Sequence, residues 1–283
     1  MKKANAPLES AEPGAPQLIL IAIGLIDTAL DKINRPAAQR SEDLHSVRVT
    51  IKRLRAILRL IRPVISKVAF TRENAHLRKA ARRLAFSRDT TIARKTLDAL
   101  SRSVSRPDRL KAFGAALASF DEQAVPISAI NKAMKQVGRD LQQSARRLER
   151  LRIAQPGWKA VGPGLCKVYS QARRRMVAAL QTDDDDSYHR WRTRVKNLYH
   201  ELRMLAPDAS KQFGPLIACL KELESNLGSN QDIAMVITLL KKNPDAYGGT
   251  KNVGKVLKSL DKQSKKLRRK SRSLGKVIFA KKR

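Results

Sequence analysis

The sequence predicts an all-α protein built from two related helical bundles. Three observations carry this. Apolar residues make up 42% of the 283-residue chain but aromatic residues only 4%, so its core is aliphatic, which suits helices packed on helices. No stretch alternates apolar and polar residues as a half-buried strand does. One segment is also written twice: "LHSVRVTIKRLRAILRLIRP" (Leu44–Pro63) and "YHRWRTRVKNLYHELRMLAP" (Tyr188–Pro207) each place a His, an Arg three residues on, a Lys four further and a Pro eighteen after the His.

Residues 1–16, rich in Pro, Ala and Glu, read as a flexible leader. The run "LILIAIGLI" (Leu18–Ile26) resembles a signal or membrane segment, but nine residues fall short of the about 20 that a bilayer requires. No small-residue cleavage pattern follows it, so it reads as a buried helix. In the basic helix after it, Val47, Ile51, Leu54, Leu58, Ile61 and Ile65 recur at helical spacing as an apolar seam. His45, Arg48, Lys52, Arg55, Arg59 and Arg62 fall on a neighbouring arc of about 100°. No acid lies between Asp43 and Glu73, so this face lacks the Glu at i+4 that offsets repulsion on a solvated helix.

Arg78, Arg82 and Asp89 share one face in "LRKAARRLAFSRDTTIA", the segment that ends the next helix. Further breaks are predicted at Pro36, Pro63, Ser105 to Pro107, Pro126, Pro156 to Pro163, Pro207 to Pro215 and Asn243 to Gly249. The cluster Pro156, Gly157, Gly162, Pro163 and Gly164 marks a joint between the halves. In the second copy Trp191, Val195, Leu198, Leu202 and Leu205 form the seam, and His189, Arg192, Lys196, His200 and Arg203 the basic face, with Tyr199 among them. In "LKELESNLGSNQDIAM", Lys221, Ser225 and Asp232 share a face. Asp89 lies 44 residues after His45 and Asp232 lies 43 after His189; both acids are expected to act as internal counter-ions to the basic cluster. A late helix repeats too, with Leu141 and Arg146-Arg147-Leu148 matching Leu260 and Lys265-Lys266-Leu267. The expected layout is a leader (1–16), a first repeat (17–155), a second repeat (156–275) and a basic tail (276–283).

With 59 Lys and Arg against 25 Asp and Glu, the net charge of +34 makes a polyanion the default partner. Two cysteines, Cys166 and Cys219, give no disulfide framework and point to a reducing, cytoplasmic setting; both are expected to be buried. Asp183 to Asp186 lack the alternating ligands and glycine of a calcium loop and read as acids capping the next helix. Four histidines without Cys or carboxylates at ligand spacing argue against a metal, and no cofactor is expected. No phosphate-binding Gly-rich loop, paired carboxylates or nucleophile with a base is visible, so the expectation is a protein that is not an enzyme, with a phosphate-transfer enzyme or its accessory subunit as the third reading. Nucleic acid is the main rival partner, since Lys262 to Arg272 could follow a phosphate backbone, but zinc-finger spacing, a leucine zipper and stacking aromatics are missing.

Two helices opening with His-x-x-Arg-x-x-x-Lys, each followed by a helix ending in Arg-Asp or Gln-Asp, resemble the CHAD domain, the conserved histidine α-helical domain, over roughly residues 18 to 275. The resemblance implies one domain of two pseudo-symmetric antiparallel bundles with a basic central cleft or pore. It also implies non-catalytic binding of inorganic polyphosphate, at polyphosphate granules. The residues it designates are His45, Arg48, Lys52, Arg55, Arg59, Arg78, Arg82, Arg83, His189, Arg192, Lys196, Arg203 and Lys221, with Asp89 and Asp232 as acidic partners. The second copy departs from the first, with Asn197, Tyr199 and His200 where the first has Arg53, Arg55 and Ala56. The Glu-x-Glu-x-Lys strand of the enzyme often joined to this domain is lacking: Glu222-Leu-Glu224-Ser-Asn226 has no Lys and reads as helix.

Overall fold

The computed structural model describes residues 14–36, 40–85, 89–102, 106–118, 126–151, 153 and 157–280, without the side chains of 40–41, 89–92, 158 and 206–212. Among these the fold is all-α, as predicted, with no strand. The helices are α1 (Ala15–Asn34), α2 (Arg40–Leu60), α3 (Lys67–Arg83), α4 (Asp89–Ser101), α5 (Pro107–Ala118), α6 (Ile127–Glu149), α7 (Trp158–Thr182), α8 (Asp185–Lys242) and α9 (Thr250–Ile278). The expected leader falls outside the described residues except for its last three, of which Ala15 and Pro16 already belong to α1.

The chain forms two compact units, each drawn from three stretches of sequence: Met1–Leu84, Ile127–Ser170 and Asn197–Ile217 in the first, Ala85–Pro126, Gln171–Lys196 and Ala218–Arg283 in the second. In the first unit α1 packs on α2 and α6, and α3 on α2 and α6. Leu18, Ile19, Ala22, Ile26, Ala29 and Ile33 give α1 a buried stripe at helical spacing. Leu20 is 69% exposed, so the apolar run is amphipathic rather than buried all round. No helix among the described residues is long and apolar enough to cross a membrane.

In the second unit α5 packs on α9 and on α4, around Leu97, Phe113, Ile233, Val236, Leu240, Val256 and Leu260. The helix α9 runs on to Ile278, and Ile278 and Phe279 are buried. The first residues of the expected basic tail are therefore anchored by apolar side chains; residues 281–283 lie outside the described set.

Three expectations need correction. The break at Gly162-Pro163-Gly164 is not observed, because α7 passes through it. A side chain on Gly164 would place its Cβ 2.6 Å from the Leu60 carbonyl oxygen and 2.9 Å from that of Arg59. This glycine therefore serves a close crossing of helices, not a linker. The cysteines are not buried: Cys166 is exposed and Cys219 partly so, since Cys166 falls off the face of α7 that buries Val161, Val168 and Ala172.

The third correction concerns Pro207 to Pro215, which falls inside the continuous helical span Asp185–Lys242 rather than between two helices, although contacts along that span require the chain to reverse. Arg192 lies 3.6 Å from Glu224 and Lys196 lies 3.5 Å from the same carboxylate, whereas a straight helix would separate Arg192 and Glu224 by about 48 Å. These pairs, with His189 and Gln231, centre on Ser210. Thus α8 has two antiparallel arms, and the turn signal marked the reversal.

Candidate basic binding site

Burial of Val47, Ile51, Leu54, Leu58 and Ile61 orients α2, and Ile65 alone of the predicted seam is only partly buried. The adjacent arc is thereby held at the rim of the first unit. Arg48, Lys52, Arg55 and Arg59 are half-buried and His45 is exposed, so the arginine stems pack while their heads gather. The Arg55 Nε donates to Asn74 Oδ1 on α3 at 3.1 Å. Burial first, and then the neighbouring guanidinium groups of Arg59 and Arg78, press the Arg55 pKa well below the ordinary arginine range, to about 10. Arg55 keeps its charge at neutral pH, and the depression reflects how closely the cations crowd.

Arg59 is compensated differently. Its Nε donates to Glu201 Oε1 at 2.5 Å, and the Glu201 side chain is 0% exposed. The same stretch of α8 brings His200 and Arg203 into the first unit, where the Arg203 Nη1 donates to Tyr199 Oη at 3.3 Å and its guanidinium lies 5.9 Å from the ring centre. Sequence spacing grouped His200 and Arg203 with His189, Arg192 and Lys196, but these last three belong to the second unit. Arg78 and Arg82 are exposed on α3. Arg83 instead donates to Asp140 on α6, whose carbonyl accepts from His76 Nε2 at 2.8 Å. Glu73, 2% exposed, accepts from Arg147 and from Ser144 at 3.1 Å. Those two acids brace α3 to α6.

In the second unit Glu224 lies between Arg192 and Lys196, and a Cβ on Gly228 would come within 3.2 Å of the Arg192 guanidinium. Gly228 thus provides the space in which Arg192 lies against the second arm. The exposed His189 pairs through Nδ1 with Gln231 Oε1 at 3.0 Å, and Lys221 is exposed. Asp232 is half-buried beside a cavity of about 400 Å³ that Lys95, Ser229 and Gln263 also line. Asp89 opens α4, but its side chain lies outside the described residues.

The run Asp183 to Asp186 caps α8: Asp184 is the N-cap and accepts from the Ser187 N–H at 2.8 Å. Hydrogen bonds from Thr182 and then Ser187 hold its carboxyl at about 2. The Thr182 hydroxyl also lies 3.2 Å from the Ala178 carbonyl and has only one proton to give, so the Ser187 amide is the steadier donor. Asp185 accepts from Arg268 at 2.5 Å.

Sequence reasoning missed Glu201, Glu224, Asp140 and Glu73 as counter-ions. Glu201 had a signal: a lone carboxylate at the edge of the Leu198, Leu202, Leu205 seam has to be paired if that seam is buried. Glu224 was weighed only as part of a catalytic strand. The arrangement can hold an extended anion through Arg and Lys donors, and among the described residues no cluster of His, Cys, Asp and Glu could hold a metal ion.

No curated protein matches the chain. The CHAD domain family matches residues 24–241, from within α1 to the end of α8. That span covers both basic helices and the acids paired with them, and the chain belongs to the CHAD domain family.

Proposed function

We propose that this protein binds inorganic polyphosphate without altering it, through the basic faces of α2–α3 and α8, and does so at polyphosphate granules. The CHAD family is associated with polyphosphate binding. The observation that carries the reading to this chain is the crowding around Arg55, where burial, Arg59 and Arg78 all oppose its charge. A fold gains nothing from half-burying repelling cations, and an anion threaded among them would add attractions that offset their mutual repulsion. Polyphosphate suits the site because it carries about one charge per phosphate and no bases that need reading, and Arg grips its oxygens through two parallel N–H groups. The ion-paired carboxylates Glu201 and Glu224 support a binding role, since each sits where it tempers cations rather than where it could act on a bound phosphate. The test is competition of long-chain polyphosphate against duplex DNA and RNA at physiological salt. Polyphosphate should still bind with either nucleic acid present in excess, and its exclusion by nucleic acid would remove this reading.

A further inference from the structure

The long helix α9 lies beyond residue 241, where the family match ends, and carries a basic face of its own. Lys258, Lys262, Lys265, Arg269, Arg272 and Lys276 are all exposed, and at 100° per residue they fall within an arc of about 80°. From Lys258 to Lys276 the row is about 27 Å long. The one acid within α9, Asp261, is matched by Lys265 at 2.9 Å, and at the edge of the row Asp183 and Asp185 engage Arg268 at 3.4 and 2.5 Å. The opposite face of α9 is fixed by buried Val253, Val256, Leu260, Leu267 and Ile278, so the row is held straight rather than free to rearrange.

We propose that this face of α9 is a second binding surface, for the phosphate backbone of duplex nucleic acid. A duplex stays straight over far more than this length, with a persistence length of about 150 base pairs, and offers a charge about every 1.7 Å along its axis. The rigid row therefore meets phosphates that are already ordered. A flexible polyphosphate chain would have to be straightened along an open, convex helix, at a cost in conformational freedom. Val277, 72% exposed, is the large apolar residue that α9 presents to solvent, too little to insert into a membrane. Phe279 is buried, so α9 has no aromatic platform for single strands. The arc contains no Asn or Gln, so it would follow the backbone without reading bases.

The inference does not depend on polyphosphate binding, and its test separates the two. Binding of a short random-sequence duplex and of long-chain polyphosphate is titrated between about 50 and 200 mM salt, with the wild type, a Lys258→Gln/Lys262→Gln/Arg269→Gln/Lys276→Gln variant and a charge-matched Arg48→Gln/Lys52→Gln/Arg55→Gln/Arg78→Gln variant. Circular dichroism checks the fold of each. The α9 variant should lose at least about tenfold in duplex affinity, and its slope of log K against log salt should shrink by about 3.6, or 0.9 for each of four lost contacts. The α2–α3 variant should keep most duplex affinity while losing polyphosphate. Equal duplex losses in the two variants would show attraction by net charge alone and overturn the proposal. An unchanged α9 variant would overturn it as well, as would one that loses polyphosphate as fully as DNA.

Discussion

Replacing Arg55 with Met separates a binding face from a solvated one, because the two effects it should have run in opposite directions. Burial, Arg59 and Arg78 depress the guanidinium to about 10, and since solvent screens this partly exposed group, the folded state carries a penalty of about 1–2 kcal/mol rather than the full value of the shift. A base whose pKa is lowered on folding destabilises the fold fully below about 10, and that cost fades only as pH rises from about 10 toward the ordinary arginine range. An assay at neutral pH sees all of it. Met keeps the unbranched stem but loses the hydrogen bond to Asn74, worth about 1 kcal/mol. Arg55→Met should therefore leave the first unit as stable or more stable by up to about 1 kcal/mol, with Tm unchanged or raised by at most about 2–4 °C. The same variant should bind polyphosphate more weakly by at least about tenfold, having lost a charged donor worth about 1.5–3 kcal/mol. Differential scanning calorimetry and isothermal titration measure the two. A lower Tm, or undiminished polyphosphate affinity, would refute the reasoning.

Arg59→Met should act oppositely on stability, because it strips the donor from a carboxylate at 0% exposure; a loss of about 3–5 kcal/mol is expected, and the Arg59→Met/Glu201→Met double variant should recover most of it in urea denaturation. Gly164→Ala should lower Tm clearly, since its Cβ would meet the Leu60 carbonyl oxygen at 2.6 Å, while a variant as stable as wild type would show that α2 and α7 can separate without cost.

The helices were legible because a seam of apolar residues every three or four positions can be buried in only one way. Each residue of the predicted seam Trp191, Val195, Leu198, Leu202 and Leu205 is at most 1% exposed. Asp184 was legible as a cap because an acid ahead of a helix has orphan N–H groups to accept from. The reversal inside α8 was legible only as a proline-rich break, since spacing along one chain does not show that Arg192 and Glu224 meet. Glycine misled at Gly164, where absence of a side chain serves contact rather than flexibility. The cationic arcs were visible, but not how each cation is compensated. Arg59, Arg83 and Arg192 look alike in sequence, yet their carboxylates come from positions 201, 140 and 224, which only tertiary packing brings near. That difference bears on which substitutions test binding: removing Arg59 strips the donor from a buried acid, whereas the Arg55 Nε bonds to the neutral Asn74.

The most direct measurement is therefore the dissociation constant of long-chain polyphosphate, at physiological salt, for the wild type and for Arg48→Gln/Lys52→Gln/Arg55→Gln with Arg59 left in place. Three charged donors at about 1.5–3 kcal/mol each predict a loss of at least about a hundredfold even if part of the chain rebinds elsewhere, with circular dichroism confirming that the variant is folded. Wild-type affinity in a folded triple variant would contradict the claim that the α2 face binds polyphosphate.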